Sequence, residues 1–89
     1  MQIYKSECSK AGLDEKRIAA LARIIEKAAR ELHGIGVCIF GASTHGSLRF
    51  SDGDATKYGE LILASMGGLW DGGNGACWHK DDGLLRGEL

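Results

Sequence analysis

The chain has no proline, no C-x-x-C pair, few aromatic side chains (7%) and almost no net charge (−1). Each shortage removes a class of protein. Cys8, Cys38 and Cys77 are odd in number and widely spaced, which argues against both a disulfide framework and a zinc ribbon, and free thiols fit a reducing compartment. No apolar run approaches the roughly 18–20 residues of a membrane span, so no membrane role is expected. The first seven residues carry Lys5 and Glu7 and lack the apolar stretch of a secretory signal, which gives a cytoplasmic expectation. The missing positive charge argues against nucleic acid as a partner, since such binders carry a basic field. There is also no linker, no internal repeat and no low-complexity segment.

What is present is a chain of 89 residues with 44% hydrophobic and 26% charged side chains. That length predicts a single compact α+β domain over 1–89, burying only about 60–65% of the surface of its unfolded chain. Dimerisation is a common remedy for so thin a core. Charge is uneven along the chain, the first 33 residues being mildly basic and the remainder mildly acidic.

A helix is predicted over about 14–33, with Asp14 as N-cap, Glu15 in the first turn and Gly34 as a left-handed stop. Its apolar stripe is Ile18, Leu21, Ala22, Ile25, Ala28, Ala29 and Leu32, expected to face a sheet. Arg17, Arg23, Lys27 and Arg30 are interrupted by Glu26 and Glu31 and read as a solvated face. Residues 35–40 are apolar on both alternating faces and predict a central or well covered strand with Cys38 buried in it. A glycine-bracketed connection at 41–46 and the alternating segment 47–51 complete a hairpin. Residues 55–66 fit a short helix or a strand over 60–66; Gly59, Gly67 and Gly68 favour the strand. A turn at 71–75 followed by a strand at 76–79 suggests a last hairpin with Trp70 and Trp78 flanking its turn, and 84–89 either pairs or frays. The architecture expected is one long N-terminal amphipathic helix packed on an antiparallel meander of about four strands.

Candidate chemistry lies in the loops. Ser43, Thr44, His45 and Ser47 could present hydroxyls and amides to an anion, but no G-K-[ST] ending and no helix N-terminus accompany them, and no G-x-S-x-G elbow surrounds the serine. Cys77 and His79 would share one face of a strand, yet two ligands do not make a metal site, and Asp71 to Gly75 lacks the alternating ligands of a calcium hand. No metal, no cofactor and no catalytic residue are therefore expected. Trp70 and Trp78 can plug a thin core or anchor an interface. Asp52, Asp54, Asp71, Asp81 and Asp82 fall in turns, where a rim of acids beside the indoles would suit a basic partner.

The function expected is a non-enzymatic protein-interaction module, an accessory or inhibitor protein of the kind a phage or mobile element would direct at a host defence complex. It would act as a homodimer or with a protein partner, bound through Trp70, Asp71, Asn74, Trp78, His79, Asp81 and Asp82. The alternative is a small-ligand or nucleotide sensor in which the loops 41–47 and 71–75 converge.

Overall fold

The computed structural model describes residues 1–42, 44–72 and 75–87. It is a mixed α+β fold with the order α1 (Lys5–Ala11), α2 (Glu15–Gly34), β1 (Cys38–Gly41), β2 (His45–Phe50), α3 (Ala55–Tyr58), β3 (Leu61–Gly67), β4 (Ala76–Trp78) and β5 (Leu85–Gly87). The strands make an antiparallel sheet β1-β2-β3 and a separate antiparallel pair β4-β5. The chain divides into two compact units. One holds residues 1–27 and the β4-β5 pair, and the other residues 28–72.

The start of α2 follows its sequence. The Asp14 carboxylate accepts the Lys16 N–H at 3.1 Å and its carbonyl accepts the first helical bond, from Ile18, as an N-cap does. The end does not. Gly34 stays helical, and the left-handed residue is Gly36, at φ 81°. Gly36 N–H bonds to the His33 carbonyl and Val37 N–H to that of Leu32, the paired bonds of a Schellman stop. A side chain on Gly36 would also stand 3.3 Å from the Phe50 ring. The first sheet strand therefore begins only at Cys38.

A short helix, α1, precedes α2 and closes with the same Schellman pattern on Gly12 (φ 73°). Its Tyr4 N-cap provides no side-chain bond and none of its seven residues is buried, so neither a cap nor a periodic apolar face announces it.

In the unit of residues 28–72, β2 is the central strand and β1 an edge, contrary to the central position expected for 35–40. Cys38 is exposed, as are Ile39 and Phe40 on alternating faces of the strand, so neither face of β1 is well covered there. Val37 is buried, with Leu48, Phe50 and Met66 half-buried. Residues 55–66 divide between the two expectations. Asp52 accepts the Asp54 N–H at 3.1 Å and starts the single turn of α3, Gly59 (φ 86°) ends it, and β3 follows. Opposite the Leu48–Arg49 step β3 carries one extra residue, Leu63, as a bulge.

The apolar surface of α2 is wider than its cover. Ala19 is buried and Ile18, Ala22, Ala29 and Leu32 are half-buried, while Leu21, Ile24 and Ile25 are 40, 65 and 58% exposed. The covered stripe is thus rotated away from the Leu21, Ile25 and Ala28 side of the expected one.

Candidate functional site

The last pair of strands is where most of the candidate residues meet, and its pairing differs from expectation. Strand β4 does not fold back on the segment before the 71–75 turn; it pairs with β5, setting Trp78 opposite Leu85 and Cys77 opposite Arg86. The reversal is built from residues 79–84. His79 N–H bonds to the Leu84 carbonyl at 2.8 Å and Gly83 N–H to the His79 carbonyl at 2.9 Å, with Gly83 at φ 70°, a conformation that suits glycine. Asp82 Oδ1 accepts the Leu84 N–H at 3.1 Å, and Asp82 Oδ2 accepts from the Arg86 Nε at 3.0 Å and from its Nη2. The Arg86 hydrogen bonds first, then the Leu84 amide, hold the Asp82 carboxyl below the usual aspartate range, and Asp82 raises the Arg86 guanidinium in return.

The hairpin is tied at its other strand. Glu7 of α1 accepts the Leu85 N–H at 2.7 Å, a charge-assisted bond. The Tyr4 ring meets the Trp78 indole edge to face, with centroids 6.5 Å apart and planes at 71°. Trp78 nevertheless keeps 64% of its surface exposed. His79 follows it in the chain, and Asp81 lies in the turn beyond. The Asp81 N–H lies 3.2 Å from His79 Nδ1. Strand β4 ends at Trp78, one residue short of the expected 76–79, and His79 begins the reversal with its N–H on the Leu84 carbonyl. Among the described residues no group of three or more His, Cys, Asp and Glu could hold a metal.

Trp70 has a different place. Its Nε1 donates to the Gly67 carbonyl at 2.9 Å, and its half-buried indole lies against Gly46 of β2, where an added Cβ would stand 2.9 Å from Cδ2. Asp71 is exposed. Trp70 and Asp71 thus belong to the 28–72 unit, while Trp78, His79, Asp81 and Asp82 belong to the other. Asn74 lies outside the described residues.

Of the alternative cradle, Ser43 lies outside the described residues. Thr44 Oγ1 is 3.2 Å from His45 Nδ1, and His45 opens β2 rather than lying in the loop. Ser47 is buried (5% exposed), and its hydroxyl accepts from the Arg49 Nε at 3.0 Å. Arg49 also lies 3.8 Å over the Phe40 ring. The two loops do approach: a Cβ on Gly41 would lie 3.5 Å from the Asp71 backbone, and one on Gly72 would lie 3.1 Å from the Gly41 carbonyl.

Glu7, Tyr4 and Arg86 were not singled out by sequence. Tyr4 and Glu7 reach the hairpin from the opposite end of the chain, so no local spacing signals them, whereas Asp82 and Arg86 are four apart and could have been read as a pair. Comparison with protein-family models, curated proteins and solved structures finds no significant match. Among the described residues no helix is long and apolar enough to cross a membrane.

Proposed function

We propose that this chain is a small non-enzymatic interaction module, an accessory or inhibitor protein acting in the cytoplasm, self-associated and engaging a protein partner through its β4-β5 hairpin. The observation that carries the reading is Trp78, a large indole left 64% exposed on a hairpin whose backbone is fixed by Glu7, Asp82 and Gly83. An aromatic side chain held on a pre-ordered support loses little entropy on docking and is the commonest kind of interface anchor. The exposed acid Asp81 in the turn that follows β4 favours a partner with an apolar pocket and a basic rim. Trp70 leaves the proposed surface, and the anchor is Trp78 with Tyr4.

The test is capture from native host lysate with mass-spectrometric identification, run in parallel for wild type and Trp78→Ala. A stoichiometric partner lost by at least about tenfold in the variant, with its circular dichroism unchanged, is the expected result, in line with truncation of an anchor. A partner retained equally by Trp78→Ala, or no partner for wild type, overturns it.

A further inference from the structure

The exposed side of α2 carries an ordered pattern. Arg17, Leu21, Ile24, Ala28 and Glu31 are all exposed, and their spacing of four, three, four and three places them in one line along a helix. The middle of that line is apolar, with Ile24 at 65% and its neighbour Ile25 at 58% exposure. The two ends carry opposite charges, and among the described residues neither Arg17 nor Glu31 has an ion-pair partner.

Arg17 and Glu31 lie seven residues to either side of Ile24, about 10 Å along the helix axis in each direction. A two-fold axis through Ile24 exchanges those two positions. We propose that α2 pairs antiparallel with α2 of a second copy about that axis, with Arg17 of each copy against Glu31 of the other and Leu21, Ile24, Ile25 and Ala28 between them. This gives the self-association of the reading above its interface and rests on that part of it alone.

Charge selects both the occupant and its direction. A parallel second copy would stack Arg17 on Arg17 and Glu31 on Glu31, whereas the antiparallel one forms two opposite-charge contacts from a single pair of residues, the self-complementary pattern of an isologous dimer. The extent suits a weak, reversible dimer. Leu21, Ile24 and Ile25 present on the order of 300 Å², and Arg17, Ala28 and Glu31 enlarge the patch, still short of the roughly 800 Å² per partner of a tight one.

Sedimentation equilibrium of the full chain, from micromolar to near-millimolar concentration, tests this. Wild type is expected to show a reversible dimer that weakens with added salt. Arg17→Glu or Glu31→Arg alone converts both end contacts to like-charge pairs and should raise the dimer Kd about tenfold. The double variant R17E/E31R restores the wild-type constant, a rescue that a folding defect does not produce. Ile24→Glu should be monomeric with unchanged helix content. A wild-type monomer throughout the series, a double variant no better than the singles, or a dimer indifferent to Ile24→Glu overturns the proposal. Trp78→Ala is expected to dimerise as wild type does, so loss of the hairpin's partner and loss of the dimer are separate results.

Discussion

Trp70 and Trp78 flank one glycine-rich stretch of the sequence, yet one is structural support and the other surface. Trp70 lies on glycine: Gly46 supplies a floor that any side chain would obstruct, and Gly67 supplies a carbonyl for the indole N–H. Trp78 has Tyr4 at its edge and stays 64% exposed. The difference teaches that an indole is buried where the backbone beside it is bare and offers an acceptor. Glycine count near a tryptophan is a poor guide; what counts is whether a bare glycine backbone lies against the ring, as Gly46 does against Trp70.

The largest effect that would break this comparison is the truncation of each indole. Trp70→Ala removes the cover of Gly46 and Met66 and should cost about 3 kcal/mol, at the low end for aromatic truncation because the indole is only half-buried. Trp78→Ala loses an edge contact and should cost about 1 kcal/mol. Urea unfolding followed by circular dichroism measures both. Equal costs would show that the two tryptophans are not distinguished by their settings.

A smaller effect sharpens the picture of the Trp78 side. The Glu7 carboxylate accepts the Leu85 N–H at 2.7 Å, so Glu7→Ala strands an amide of β5 and should cost about 1–2 kcal/mol, reduced by partial exposure of the site. Hydrogen exchange at the Leu85 amide is the direct readout. It should quicken in the variant, while the Trp70 indole N–H, bonded to a main-chain carbonyl in the other unit, keeps its protection.

Much of the fold was legible where local chemistry decides it. Asp14 as a cap, the period of α2, the hairpin that joins β1 to β2 and the turn at Asp52 each depend on residues within a few positions of one another. The failures are non-local or competitive. Gly34 and Gly36 both could end α2, and the choice went to Gly36, whose bare Cα also accommodates the Phe50 ring. Cys38 looks buried by its apolar neighbours, but its strand took an edge of the sheet with neither face well covered there. Residues 71–75 have the strongest loop composition, yet the hairpin strand β4 has its partner downstream, in Leu85–Gly87. Of the proposed surface, Trp78, His79, Asp81 and Asp82 were named from residue type and turn chemistry, whereas Tyr4 and Glu7 reach Trp78 and Leu85 only through the fold.

The smallest effect concerns acid, and it falls on the Trp78 side alone. The Arg86 guanidinium, followed by the Leu84 amide, holds the Asp82 carboxyl below the ordinary aspartate range. A carboxyl whose folded pKa lies under its unfolded one contributes its full stabilisation above the unfolded value, and that contribution shrinks as pH falls through the ordinary range and is gone below the folded value. Protection of the Leu84 amide should therefore decline on acidification from neutral pH, since a protonated Asp82 is a poorer acceptor and no longer engages Arg86 as an ion. Asp82→Asn should flatten that dependence, having no charge to lose. The Trp70 indole N–H, whose acceptor is a carbonyl that does not titrate, provides the internal control in the same hydrogen-exchange series. Parallel acid profiles at Leu84 in wild type and Asp82→Asn would place the origin of the hairpin's rigidity elsewhere than in the Asp82–Arg86 pair.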